Sequence, residues 1–362
     1  MKIAIVGAGI VGSTAAYYLS KEKGVEVTVF DHGLGQATKA AAGIISPWFS
    51  KRRNKAWYRM ARLGADFYQD LVSDLKKDGY DTSFYNQSGV ALLKKDDSKL
   101  DALYQHAETR LEESPIIGEL SIKNAENLPE FTGFDHYLYA SGGARVEGAE
   151  LTATLIEASG FEKVGGPVTL SPLDNGTYEI NAQTFDKVIL ACGAWLGQTL
   201  EPLGFEVDVR PQKGQLRDYF FEGLDTGKLP VLMPEGELDI IPFAGGKISV
   251  GASHENDQGF DLTVDETVLA SLEEEAKTYF PDLSTAKSFS ERVGTRAYTS
   301  DFSPFFGEVP ELESVFVASG LGSSGLTTGP LIGKNLVELA MNRPGSLDSA
   351  DYPVAQYIKK KD

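Results

Sequence analysis

The sequence predicts an α/β fold in which a Rossmann-like nucleotide-binding domain is interleaved with an α+β domain built on an antiparallel sheet. Three observations carry this expectation. The first 31 residues read as strand, glycine turn, helix and second strand. Residues 207–260 alternate short strand-like runs with turns, the pattern of an antiparallel sheet. Near the C-terminus a buried strand (SVFVASG), a glycine-rich turn (LGSSGLTTGP) and a helix from Leu331 to Met341 follow one another. No internal repeat or low-complexity linker separates these segments, so the lobes are expected to interleave rather than follow in series.

The N-terminal unit is the most specific of the three. Lys2 to Val6 is a short apolar run rich in β-branched residues, as in a parallel strand buried on both faces. Gly7, Gly9 and Gly12 satisfy G-x-G-x-x-G. In that motif the first glycine permits the tight turn, the second lets backbone approach a pyrophosphate, and the third lets helix and strand pack closely. Ala16 and Leu19 fall on the inner face of the helix that follows, whose N-terminus offers free N–H groups to phosphate. Val25 to Phe30 reads as the second strand, and Asp31 closes it 19 residues beyond Gly12, where a carboxylate can accept ribose hydroxyls.

Composition narrows the function classes. With 362 residues the chain is large enough for two domains or one with an inserted lobe. Apolar residues make up 42%, yet no run approaches the roughly 20 residues of a spanning helix, so a cytoplasmic protein without stable membrane insertion is expected. The excess of 52 acidic over 34 basic residues, a net charge of −18, opposes nonspecific nucleic-acid binding. Cys192 is the only cysteine, which excludes an intrachain disulfide, and His32, His106, His136 and His254 show no metal-ligand spacing. Lys359 to Lys361 reads as a solvated terminus.

Several further elements can be read in order. Ala40 to Gly43 lies in a small-residue stretch that adds little core volume and lets something flat come close. From Asn54 to Lys77, Trp57, Met60, Ala61, Leu63, Phe67, Leu71 and Leu75 recur at helical spacing. Residues 88–93 are strand-like, Lys99 to Glu112 is helical, and Ala125 to Phe131 reads as a short helix ended at Pro129. Another helix spans 150–160, and an Asn175-Gly176 turn makes a hairpin before a buried strand that returns to the nucleotide domain and carries Cys192 as a small buried hydrophobe. Val264 to Phe280 is helical, and Glu291 to Gly307 reads as irregular.

Taken together, these segments resemble the D-amino acid oxidase superfamily of FAD-dependent oxidoreductases, in its glycine oxidase, sarcosine oxidase and D-amino acid dehydrogenase branch. The resemblance spans nearly the whole chain. Its anchors are the N-terminal unit, KAAAGII, VILACGAWL at 188–196, RPQKGQ at 210–215, IIPFAGGKISVGASHE at 240–255, VGTRAYTSDFSPFFG at 293–307 and VASGLGSSGLTTGPLIG. It implies a glutathione reductase-type FAD-binding domain made of 1–84, 140–207 and 293–362, and a substrate-binding domain made of 85–139 and 208–292.

The resemblance also implies roles for residues. Gly7, Ala8, Gly9, Ile10, Val11 and Gly12 would hold the pyrophosphate and Asp31 the adenosine ribose, with His32 beside it in the cofactor site. Ala41, Ala42, Gly43 and Ile44 would line the flavin ring, and Val168, Ala191, Gly193 and Trp195 would add contacts to the cofactor. The turn of Gly320, Leu321, Gly322, Ser323, Ser324, Gly325 and Leu326 would meet the pyrimidine end, where N–H groups at a helix N-terminus stabilise negative charge on a reduced flavin. Some relatives bond a cysteine to the flavin near this turn; Leu321, Ser323 and Ser324 stand here, so non-covalent FAD is expected. Arg296 matches the arginine that pairs with an amino-acid carboxylate over the flavin. Asp239 stands where relatives often carry tyrosine; as a pocket residue it would disfavour anionic substrates and favour small or cationic side chains, and otherwise it is a solvated strand end.

The implied activity is oxidation of a CH–NH or CH–NH2 donor, a small amine, glycine, sarcosine or a D-amino acid, with hydride passing to flavin and the imine hydrolysing in water. Either oxygen or an electron carrier such as a quinone would take the electrons. A flavin-binding subunit without turnover is the reading from another class, against which the intact Arg296 argues. Action on modified RNA is opposed by the acidic charge, and an NAD enzyme by the second glycine turn. A homo-oligomer is compatible with the sequence.

Overall fold

The structure is a computed structural model that describes residues 1–361. A six-stranded sheet in the order Phe305–Glu308, Val315–Ser319, Lys187–Leu190, Lys2–Val6, Glu26–Asp31, Glu162–Gly165 holds the N-terminal unit at its centre. Its pairings are parallel except at the edge formed by Phe305–Glu308. Ile3 and Ile5 enter the core shared with the helices, whereas Ala4 and Val6 face a second core containing Leu170, Tyr178, Ile180 and Phe185. Burial on both faces is why the first strand is uniformly apolar rather than alternating.

Helices Ile10–Leu19, Lys55–Lys77, Gly148–Ser159 and Gly325–Ala340 pack on the first of these faces. Gly329 and Gly333 set the closeness of the first and last helices. A Cβ on Gly329 would meet Ile10 Cγ2 at 2.5 Å, and one on Gly333 would meet the carbonyl of Val11 at 2.6 Å. Gly64 likewise has no room for a Cβ against the carbonyl of Thr327. The long helix is capped by Asn54, whose side chain accepts from the Trp57 N–H at 3.0 Å.

The second large sheet has eight strands, in the order Ser288–Tyr298, Arg210–Phe220, Lys247–Gly251, Asp239–Phe243, Val231–Met233, Val90–Leu92, His136–Ala140, Leu120–Asn124. It is antiparallel apart from the parallel pair Val231–Met233 with Val90–Leu92. Alternation along Asp239–Phe243 sends Ile240 into the core beneath helix Glu266–Lys277 and sends Ile241 and Phe243 into the core on the other face. Asp239 has the parity of Ile241, which turns its side chain to that other face.

The structure corrects four local expectations. Residues 291–307 are not irregular, since Ser288–Tyr298 is an 11-residue strand paired along its length with Arg210–Phe220 and Phe305–Glu308 is another strand. The expected boundary at 292/293 therefore falls inside a strand. Ala125–Asn127 forms only a single 3-10 turn, with Pro129 beyond it. The C-terminal helix begins at Gly325, not Leu331, and contains Pro330. Proline cannot donate to the carbonyl four residues back, that of Leu326, but this oxygen accepts from the Tyr68 hydroxyl at 2.7 Å, so the helix passes through. Cys192 lies just beyond the strand Lys187–Leu190 rather than within it.

Candidate functional site

One continuous cavity of about 660 Å³ runs along the seam between the two large sheets. At one end it is lined by Gly7, Gly9, Ile10, Val11, Asp31 and His32. Gly7 sits at φ +100°, and a Cβ there would strike the carbonyl of Ala191, while one on Gly12 would strike the carbonyl of Gly7. Gly12 thus acts through packing and does not line the cavity, and neither does Ala8. The Ala8 N–H instead donates to Asp31 Oδ1 at 3.3 Å. Gln36 Nε2 donates to both oxygens of Asp31 at 2.8 Å. The carboxylate is therefore held rigidly at the strand end.

Val168, Ala191, Gly193 and Trp195 line the same cavity, and the Trp195 ring meets His32 edge-on at 5.4 Å. Ser319 Oγ donates to the Gly193 carbonyl at 3.0 Å and so ties this turn to the C-terminal strand. Cys192 also lines the cavity; burial pushes its thiol up to about 12, so it is neither nucleophile nor thiolate near neutral pH.

Ala41, Ala42, Gly43 and Ile44 form a further stretch of wall. Gly43 has φ +81° and no room for a Cβ against the Val146 carbonyl, which pins the segment to the strand Ala144–Val146. From behind, Arg292 Nη1 donates to the carbonyls of Lys39 and Ala41 at 3.3 and 3.2 Å, and its Nη2 donates to Asp218 and Ser249 at 2.9 and 3.0 Å. Glu147 pairs with both Arg292 and Lys247. This shielded cluster fastens the segment to the eight-stranded sheet.

The C-terminal turn supplies Leu321, Gly322, Ser323, Ser324, Gly325 and Leu326 to the wall. Gly320 does not line it; its φ is +75° and its Cβ position is closed by Ser303 and Thr299. The Ser323 N–H donates to the Tyr298 hydroxyl at 3.1 Å, and Gly322 lies against the same ring. Two helix N-termini, at Ile10 and Gly325, thus open on one cavity.

Arg296 and Asp239 line the remaining part. The Arg296 side chain lies across Gly214, where a Cβ would come within 2.5 Å of Nη1. Nη1 donates to the Ser253 carbonyl at 2.8 Å and to Gln212 Oε1 at 3.3 Å, and among the described residues no carboxylate lies within ion-pair distance. Asp239 is half-buried and lines the cavity rather than standing as a solvated strand end, and its shielding from water pushes its carboxyl up to about 7. Residues not singled out from sequence also line this region, among them Trp57, Met233, Glu237 and His254, and Gln36, Thr38 and Thr295 line the cavity as well. Burial first, and then the charge of Arg296, push the His254 pKa down, so the ring is neutral at neutral pH.

The fit to a dinucleotide can be judged from polar atoms with no protein partner. Gln36 Oε1, Trp57 Nε1 and Thr295 Oγ1 are buried without a hydrogen bond, and all three residues line the cavity. Stranded groups of this kind are costly unless a bound molecule meets them. Together with two glycine turns and a fixed acid at a strand end, they suit a long, polar, dinucleotide-sized group.

Fold and site define a dinucleotide-dependent oxidoreductase with a substrate chamber attached. The chain belongs to the FAD dependent oxidoreductase family, whose model matches residues 2–339. It is 38% identical over 366 residues to the uncharacterised oxidoreductase YurR of Bacillus subtilis strain 168, covering 97% of this chain and 98% of that one. It is 29% identical to the glycine oxidase of Pseudomonas aeruginosa over 98% of each chain. Among solved structures, iminodiacetate oxidase from Chelativorans sp. BNC1 superposes with a TM-score of 0.91 at 30% identity, covering 97% of this chain and 98% of that one. FAD is the cofactor, and the protein is an oxidoreductase. No helix among the described residues is long and apolar enough to cross a membrane.

Proposed function

We propose that the protein oxidises a small amino acid, glycine, sarcosine or a D-amino acid, to an imine that water hydrolyses to the 2-oxo acid. The observation that carries this reading is Arg296, a cation on the cavity wall held through Nη1 by neutral acceptors, with no protein carboxylate paired to it among the described residues. A guanidinium so placed suits a substrate carboxylate, because the pair is charge-assisted and directional in a site shielded from water.

On this reading the FAD-binding domain follows the six-stranded sheet and comprises 1–84, 141–207 and 299–362 rather than 140–207 and 293–362, because the strands His136–Ala140 and Ser288–Tyr298 belong to the other sheet. The substrate-binding domain follows the eight-stranded sheet. Gly7, Gly9, Ile10, Val11 and Asp31 would hold the dinucleotide, with Gly12 keeping the helix close to the strand, 41–44 and the 321–326 turn would enclose the flavin, and no cysteine in that turn can bond to it. Bound there, the flavin would supply the acceptor for the hydride leaving the carbon that bears the amine, with oxygen or an electron carrier as the final acceptor. The chain's own part is to fix the carboxylate at Arg296, orient that carbon and exclude water.

Product analysis tests this reading. Incubation with glycine, sarcosine and a panel of D-amino acids should release the 2-oxo acid and the amine, with peroxide in air if oxygen is the acceptor and dye reduction if a carrier is. Turnover confined to L-amino acids, or to amines without a carboxylate, would contradict it.

A further inference from the structure

The wall around Arg296 carries a charge pattern that oxidation of a simple amino acid does not require. Arg296 is the only lysine or arginine lining the cavity among the described residues, while Glu237 and Asp239 also line it. All of these groups meet at one end of the eight-stranded sheet. Asp239 lies opposite Gly251, and the chain leaving that strand supplies the Ser253 carbonyl that holds Arg296 and the His254 ring that stands 3.6 Å from Glu237. Guanidinium and carboxyls therefore border the same strand end as separate parts of one chamber.

Asp239 differs from the other acids of the seam. Glu147 and Asp218 are paired with Arg292 and Lys247, whereas Asp239 has neither a hydrogen bond nor an ion pair among the described residues. Its carboxyl is pushed up by burial, with no charged neighbour offsetting it. Nor does the wall offer a second cation, because His254 is held neutral. An unpaired carboxyl on a shielded wall is relieved by a cation from outside the chain.

Resting on the reading of Arg296 as the carboxylate-binding group, we propose that Asp239 determines specificity at a second subsite, which takes a cationic nitrogen of the substrate remote from its carboxylate. The substrate class is then a monocarboxylate amino acid bearing a second, protonated nitrogen, not a dicarboxylate. A dicarboxylate would set its second carboxylate against Asp239 and Glu237 with no cation to receive it. Asp239 acts here by binding and takes no part in the hydride step.

Three ligands test this on the FAD-loaded protein under anaerobic conditions, with binding read from perturbation of the flavin spectrum. Pentanoate, 5-aminopentanoate and glutarate lack an amine beside a carboxylate and differ only at the far end. In the wild type, 5-aminopentanoate should bind about 10- to 100-fold more tightly than pentanoate, the value of one charge-assisted contact, and glutarate more weakly than either. In Asp239→Asn the ratio of the first two should fall to within about threefold. Equal binding of the two in the wild type, tighter binding of glutarate, or an undiminished ratio in Asp239→Asn would overturn the proposal. The wild-type ratio decides even if the variant does not fold. Failure of all three ligands to perturb the flavin would instead overturn the Arg296 reading, and this proposal with it.

Discussion

Arg296 Nη1 donates to the Ser253 carbonyl at 2.8 Å, so a residue on one strand is held by the segment that leaves another two strands away in the same sheet. The contact presents the guanidinium to the cavity without neutralising it. Arg296→Met should therefore lower kcat/KM by at least about 100-fold, the worth of about 3 kcal/mol for a shielded charged contact, while FAD content stays unchanged. Arg296→Lys keeps the charge but loses the planar fork, and should fall between the two. Steady-state kinetics on FAD-loaded protein checks both, and a variant with unaltered KM and kcat would remove Arg296 from substrate binding.

Asp31 is held by Gln36 and by the Ala8 N–H, so its loss should be felt by the cofactor rather than by the substrate. Asp31→Ala should weaken FAD binding about 10- to 100-fold through lost charge-assisted hydrogen bonds. Quenching of flavin fluorescence on titration of apoprotein gives the dissociation constant.

Two glycines separate steric need from backbone need. Gly12 has no room for a Cβ against the Gly7 carbonyl, whereas a Cβ on Gly24 meets nothing within 4 Å but sits at φ +73°. Gly24→Ala should cost only the left-handed backbone penalty, about 1 kcal/mol, and leave FAD binding intact. Gly12→Ala should displace the helix from the strand and lose FAD affinity as well as stability. Denaturation and FAD titration of the pair would show whether the collision is real.

Asp239 gives the stability a pH dependence of definite sign. Its carboxyl is raised to about 7 in the folded chain, against an ordinary value of about 4 when unfolded. Its contribution is therefore fully present below about pH 4 and lost as pH rises through about 7. Relative to Asp239→Asn, the wild type should lose stability between those values and level off above them. Urea unfolding of both proteins at pH 5 and pH 8, with FAD saturating throughout, measures this difference, and an opposite slope would mean that Asp239 is charged and paired.

The parts of the site that are legible in the sequence are those written locally. Gly7, Gly9, Gly12 and Asp31 declare themselves because turn, helix and strand end lie within one short stretch, and Ala40 to Gly43 do so through missing side-chain volume. The strand Ser288–Tyr298 is hidden because it does not alternate in polarity. Its first residues are exposed on an edge, and Arg292, Gly294 and Arg296 face a charged seam and a cavity rather than an apolar core. Pro330 disguises the start of the last helix, since the hydroxyl that completes it comes from Tyr68, far away in sequence. Gln36 is placed by its bonds to Asp31 and by a bridge to Thr295, and Glu237 and His254 meet only because the strands Asp239–Phe243 and Lys247–Gly251 pair, which no spacing records.

The most direct test of the account is an anaerobic absorbance titration of wild type and Arg296→Met, each loaded with FAD, using glycine, sarcosine and D-amino acids. At least one of these should bleach the yellow flavin band of the wild type, and Arg296→Met, equally yellow, should bleach only at far higher concentration. A wild type that takes up no FAD, or two proteins that bleach alike, would contradict it.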